Sequence, residues 1–268
     1  MSKKRILYVC QEIMPYLPET PMSSISRNLP QAIQERGFEI RTFMPRYGSV
    51  NERRNQLHEV IRLSGMNLII DDNDHQLIIK VASIPTARVQ IYFIDNEEYF
   101  QRKCVLQDEA GHYYPDNDER AIFFARGVIE TVKKLRWSPG IVHVQGWFAG
   151  FIAMYLKGIF AEDPLFAGVK IVVSLYPDDF TGTLDINVAE KLKTEGARSD
   201  TLPFLADPTY ENVMKFIGAY ADGVVYAQPG IDEAVKKYYD GLKIPVLEMT
   251  QTENYADSYA EFYEKILS

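Results

Sequence analysis

Short, unbroken apolar runs constrain this chain more than any other feature: ILYV at 6–9, IVHV at 141–144, IVVSLY at 171–176 and GVVYA at 223–227. Runs of this length, bounded by turn residues, suit strands buried on both faces, which is how parallel strands sit in an α/β sheet. Stretches with helical spacing lie between them. SISRNLPQAIQER at 24–36 is followed by Gly37, a fitting C-terminal stop. Ser23 or Ser24 offers an N-cap, and Pro30 implies a kink or a late start. FEIRTFMP at 38–45 returns as a strand, so the first three elements make a right-handed βαβ unit.

Residues 59–95 differ in character. EVIRLSGMNLIID, HQLIIKVASI and ARVQIYFID are β-rich and separated by turn signals at Asp71–Asp74 and at Pro85, which reads as hairpins inserted into the sheet or added to it. From 119 to 136, Ile122, Ala125, Val128, Ile129, Val132 and Leu135 recur at helical spacing. GWFAGFIAMYLKGIF at 146–160 reads as one apolar helix, 177–206 as polar and irregular, and 210–221, 231–241 and 257–267 as further helices. The expected fold class is α/β: a single doubly wound Rossmann-like domain over 1–268 with inserted β-hairpins.

The net charge of −8 and the scatter of basic residues disfavour nucleic acid as a partner. No run nears the roughly 20 apolar residues of a membrane span, and the N-terminal apolar run is too short for a signal peptide. Cys10 and Cys104 match no metal spacing, and His58, His75 and His112 stand singly, so neither a metal nor a cofactor is expected. The expected location is the cytoplasm.

Ligands of open α/β sheets sit beyond the carboxyl ends of the strands, at the topological switch point. The loop after the first strand, QEIMPYLPETPMSS, holds no glycine, so the glycine-rich cradle that lets a backbone close on a pyrophosphate is missing. The same loops carry a family likeness. EIMPYLPETPMSSISRNLP at 12–30, FMPRYG at 43–48, YFIDNEEYFQR at 92–102, PDNDERAIFFARGVIE at 115–130, IVHVQGWFAG at 141–150 and YADGVVYAQPG at 220–230 occur in order. Together they resemble the N-terminal catalytic domain of ADP-glucose-type glycogen/starch synthases, a family 5 glycosyltransferase of GT-B architecture.

The resemblance implies a hexosyltransferase, yet its departures fall on the chemistry. The family's donor-gripping Lys falls on Pro18, and its paired glycines on Thr20 and Pro21. Its His-x-His-Asp-Trp keeps His143 and Trp147 but has Gln145 and Gly146 between them; its later His-Asn falls on Tyr176 and Pro177. No second, nucleotide-sugar domain is expected, and no catalytic residue is assigned.

The candidate substrate-binding residues are Asp116, Asn117, Arg120, His143, Gln145, Trp147 and Tyr176. Each has a plainer reading. Asp116 and Asn117 suit a helix N-cap, His143 suits a hydrogen-bonded core residue, and Trp147 suits packing. Asp178 and Asp179 are adjacent and diverge, so they make no acid/base pair. Tyr255, Tyr259, Phe262 and Tyr263 read as the core face of a helix.

Two functions follow as expectations. One is a catalytically degenerate synthase-like protein that binds α-glucan (glycogen or maltodextrin) or a protein partner in glycogen metabolism. The other is a glucosyltransferase subunit completed by a separate donor-binding chain. Homo- or hetero-oligomers are open under either. Tyr47, Trp147, Phe148, Tyr176 and Phe180 are expected to form an exposed face.

Overall fold

The computed structural model describes residues 4–84, 89–249 and 254–268. The chain runs through β1 (Arg5–Cys10), α1 (Pro21–Glu35), β2 (Glu39–Pro45), β3 (His58–Glu59), β4 (Met66–Ile70), β5 (Asn73–Ile84) and β6 (Val89–Asp95). It continues through α2 (Glu97–Phe100), α3 (Asn117–Lys134), β7 (Ile141–Gln145), a 3₁₀ turn (Trp147–Ala149), α4 (Ile152–Lys157), β8 (Lys170–Leu175) and α5 (Val188–Thr194). A second 3₁₀ turn (Leu202–Ala206), α6 (Tyr210–Gly218), β9 (Gly223–Tyr226), α7 (Glu233–Gly241), β10 (Val246–Glu248) and α8 (Tyr255–Leu267) complete it. The turn expected at Pro85 lies outside the described residues.

The strands form a 10-stranded sheet in the order β10-β9-β8-β7-β1-β2-β6-β5-β3, with β4 paired on β5. From β10 to β6 every pairing is parallel; β5 joins β6 antiparallel and carries β3 and β4 as antiparallel partners. The mainly parallel sheet and the added hairpins are therefore as the sequence implies. β1 lies between β2 and β7, with Tyr8 opposite both Thr42 and His143. Winding runs outward from β1 in one direction and from β7 in the other, so the switch point falls between them. α1 packs beside α8, and α3 beside α4.

Local chemistry corrects four expectations. α1 begins at Pro21, with Thr20 as its cap rather than Ser23 or Ser24. Pro21 needs no N–H partner in the first turn, while Thr20 Oγ1 accepts from Ser23 N at 2.9 Å and Ser23 Oγ accepts from Thr20 N at 2.8 Å. The helix runs through the buried Pro30 without a late start. The expected helix over 146–160 is instead a 3₁₀ turn and the short α4. Gly146 at φ +86° lies outside helical geometry, and Gly158, at φ −104° and ψ −111°, ends α4 after Lys157. Gly150 and Gly158 also sit where the chain is crowded. A Cβ on Gly150 would fall 2.2 Å from Ile217 Cδ1, and one on Gly158 2.8 Å from Met154 O. The segment 177–206, read as irregular, carries α5 and the second 3₁₀ turn.

Candidate functional site

At the switch point the chain fills its own crevice. Gly146 holds φ +86°, and a Cβ there would lie 2.8 Å from Gln11 Oε1, so only glycine lets the two strand ends close up. Gln11 N donates to Gln145 O at 2.9 Å, and Gln11 Oε1 accepts from Phe148 N at 3.1 Å. Asp178 Oδ2 accepts from Trp147 N at 3.1 Å, while its Oδ1 accepts from the Tyr210 hydroxyl at 2.7 Å. Backbone N–H groups at such a turn are the donors an anionic ligand uses in this class of sheet. Here a carboxamide and a carboxylate already engage them.

The crevice is acidic as well. Desolvation pushes the Asp178 carboxyl up to about 6, with the nearby Glu12 adding to the shift. Glu12 is raised too, by its own desolvation, although it accepts a hydrogen bond from the Thr20 hydroxyl. Positions 18, 20 and 21, to which the resemblance assigns a Lys and two glycines, hold Pro18, Thr20 and Pro21. Pro18 is exposed.

Behind the crevice, His143, Gln145 and Tyr176 belong to a buried polar network. His143 Nδ1 lies 2.6 Å from the Tyr263 hydroxyl and Nε2 lies 2.7 Å from Ser174 Oγ. Tyr263 in turn meets the Tyr8 hydroxyl at 3.0 Å, and the Tyr176 hydroxyl donates to Gln145 Oε1 at 2.6 Å. A neutral imidazole has one donor and one acceptor, and hydroxyl partners satisfy either tautomer. Burial drives the imidazole pKa down to about 3, so the ring is neutral at ordinary pH.

Asp116, Asn117 and Arg120 gather elsewhere, at the start of α3. Asp116 stands at the N-cap position but makes no capping bond; its carboxylate takes both guanidinium nitrogens of Arg102, at 2.7 and 2.5 Å. The fully buried Arg120 donates to Tyr99 O at 2.7 Å, Asn117 Oδ1 at 2.6 Å and Val105 O at 2.8 Å. Desolvation lowers its pKa to about 10. These groups lock the 97–117 loop onto α3.

The exposed aromatic face does not exist. Tyr47, Trp147, Phe148, Tyr176 and Phe180 are all buried, Phe180 being the most exposed at 7%. Phe180 sits 4.8 Å from the Trp147 ring and 5.7 Å from that of Tyr210. The segment after β8 and the start of α6 thus cover the strand ends, burying the rings instead of presenting them. The Trp147 indole N–H and the Tyr47 hydroxyl are left buried without a hydrogen-bond partner.

The sheet edge does open further along, beyond β8, β9 and β10. A cleft of about 430 Å³ lies between α1 and α8, lined among others by Ser24, Asn28, Tyr176, Gln228, Tyr255 and Tyr259. Among the described residues, no charged side chain lines it. Of the four aromatic residues read as a core face, Tyr259, Phe262 and Tyr263 are buried, while Tyr255 is half-buried at the cleft. The sequence reading did not find Ser24, Asn28 and Gln228. Their signal was present in part, since Pro21, Ser24, Ile25 and Asn28 share one helical face.

Asp118, Glu119 and Asp185 bring carboxylate oxygens within 4.8 Å of one another, as a metal site would. Lys191 Nζ occupies their midst, at 2.9, 2.6 and 2.8 Å respectively, and supplies the positive charge. Among the described residues, no helix is long and apolar enough to cross a membrane.

The doubly wound parallel sheet, with its switch-point crevice and appended hairpins, is the Rossmann-like fold of GT-B glycosyltransferases. The catalytic domain of starch synthase IV from Arabidopsis thaliana, solved bound to ADP and acarbose, superposes with a TM-score of 0.72 at 16% identity, covering 92% of this chain and 52% of that one. Residues 5–244 match the starch synthase catalytic domain family, and the chain belongs to it. It is 36% identical to the glycogen synthase of Chlorobium limicola over 196 residues, which are 73% of this chain and 40% of that protein. It is also 36% identical to the glycogen synthase of Chlorobaculum tepidum over 208 residues, 74% of this chain and 43% of the relative. The chain thus spans less than half the length of these relatives.

Proposed function

We propose that this chain is a catalytically degenerate member of its family that binds α-glucan in glycogen metabolism and does not itself transfer glucose. The observation that carries this reading is the occupied crevice. The amides of Trp147 and Phe148 already serve Asp178 and Gln11, and the charged groups beside them, Glu12 and Asp178, are acidic. Glucosyl transfer from a nucleotide sugar develops charge on a leaving diphosphate. Donors aimed at that charge supply much of the rate, and losing one costs about a hundredfold to a thousandfold. Here Pro18 stands in place of a Lys and Gln145 in place of a His, in addition to the engaged amides.

The test combines transfer with binding. Labelled ADP-glucose and glycogen, incubated with the purified protein, should give no incorporation above a heat-killed control. Millimolar ADP-glucose should leave the melting temperature unmoved, since only a ligand of the folded state raises it. Glycogen should co-sediment the protein. Incorporation by the protein alone overturns the proposal. Incorporation only after adding the separately expressed C-terminal half of a relative replaces it with the reading of a subunit completed by a donor-binding chain.

A further inference from the structure

The sheet ends in edges that are protected unequally. β10 is three residues long, follows Pro245 and carries Glu248. β3 has only two residues, His58 and Glu59, both polar. Short length, proline and charge are the usual devices that keep a strand edge from recruiting another chain. β4 has none of them. Its sequence is MNLII, and among the described residues it pairs with β5 alone. One of its apolar side chains, Ile69, stands 58% exposed.

The hairpin fixes which backbone groups this edge offers. Ile70 faces Asn73 across the turn Asp71–Asp72, whose φ values of 47° and 63° are those of a type I′ turn. The closing pair of such a turn exchanges hydrogen bonds, and the pattern alternates along an antiparallel ladder. Ile70, Leu68 and Met66 therefore turn their N–H and C=O groups to β5, while those of Ile69 and Asn67 point away from it. α3 packs on β4, where Leu68 and Ile70 are buried; Asn67 and Ile69 face solvent.

Charge selects the occupant. The turn end of β4 carries Asp71, Asp72 and Asp74, and the opposite end carries Arg62; all four are exposed. No ion pair among the described residues includes any of them. A second β4 laid antiparallel to the first brings its arginine end to this aspartate turn and its aspartate turn to this Arg62. A parallel copy would set turn against turn. The edge is thus complementary to its own reverse, as a two-fold contact between identical chains requires.

We propose that β4 is a self-association edge through which two copies of this chain pair antiparallel, Asn67 of each opposite Ile69 of the other. That register makes two hydrogen-bonded pairs of two bonds each. It sets the two Leu68 side chains directly opposite on the covered face and the two Ile69 side chains at diagonal positions on the outer one. A five-residue edge covers less than a standard interface, so the dissociation constant is on the order of 10–100 μM. The pairing is independent of the glucan reading.

The experiment is sedimentation velocity of the purified chain, from about tenfold below to about tenfold above that constant. Melting temperatures are recorded alongside. Asn67→Pro removes an N–H that points outward and leaves the β4–β5 bonds in place. Ile69→Lys puts a cation where the two copies meet. Each should weaken dimerisation by about tenfold or more and, at an exposed position, move the melting temperature by no more than a few degrees. Arg62→Asp should weaken it about threefold to tenfold, by setting like charges together at both ends. A wild type that stays monomeric throughout overturns the proposal, and so does a dimer that Asn67→Pro and Ile69→Lys both leave intact. A dimer that Arg62→Asp leaves unchanged or tightens overturns the antiparallel arrangement.

Discussion

The crevice between β1 and β7 and the cleft between α1 and α8 open on the same edge of the sheet, yet they are furnished in opposite ways. In the first, Gln11 and Asp178 hold the backbone amides and His143, Gln145 and Tyr176 join one buried network, while the Trp147 indole N–H and the Tyr47 hydroxyl stay without a partner. In the second, the described lining residues are uncharged and two tyrosine rings, Tyr255 and Tyr259, meet the open space. The position a fold makes available for ligands and the position a given chain leaves open are therefore different things. The first follows from strand order and the second from how side chains satisfy each other.

That contrast is exposed to test most sharply at Arg120. If its role is structural, Arg120→Ala should cost about 4 kcal/mol in urea unfolding, since it empties a large buried volume and leaves three acceptors without a donor. A ligand-binding arginine would show the reverse pattern, with little loss of stability or even a gain. His143→Ala should come next, at about 3 kcal/mol, because it strands the Tyr263 and Ser174 hydroxyls and opens a void. A full-strength fold with altered glycogen binding would instead return His143 to the site.

The smallest effect concerns Asp178 and pH. Its carboxyl is raised to about 6 in the folded chain, against about 3.9 unfolded, so the folded state binds more protons between those values. Its contribution is therefore greatest below about pH 4 and is lost as pH rises towards 6. Asp118, also raised to about 6, acts with the same sign. Asp178→Asn should flatten the fall in stability over that range by about 1–2 kcal/mol, leaving the Asp118 share. An unchanged slope would mean the crevice is wetter and less closed than described.

Much of the fold was legible because its signals are local. Unbroken apolar runs such as 6–9 and 141–144, bounded by turn signals, suit doubly buried strands, and the 122–135 periodicity suits a helix packed on them. The site was far less legible. Trp147 follows a strand end, so sequence placed it facing a ligand. Its burial depends on Phe180 and Tyr210, which arrive from a segment with no periodicity to read. Asp116 has the residue type and position of an N-cap, but Arg102, fourteen residues earlier, competes for its carboxylate. The Thr20 cap was readable from TPMS, since Pro suits the first turn and Ser23 can return the hydrogen bond. The cleft needed α1, α8 and three strand ends in one place, which no window of sequence contains.

The polar network around His143 also bears on the order in which the protein is assembled. Strands β1, β7 and β8 are all synthesised by residue 175, but the Tyr8 and His143 side chains meet their shared partner only in Tyr263. Without α8 the Tyr8 hydroxyl and His143 Nδ1 lose this partner, while His143 Nε2 keeps Ser174. Docking of α8 thus caps the polar pair at the centre of the sheet.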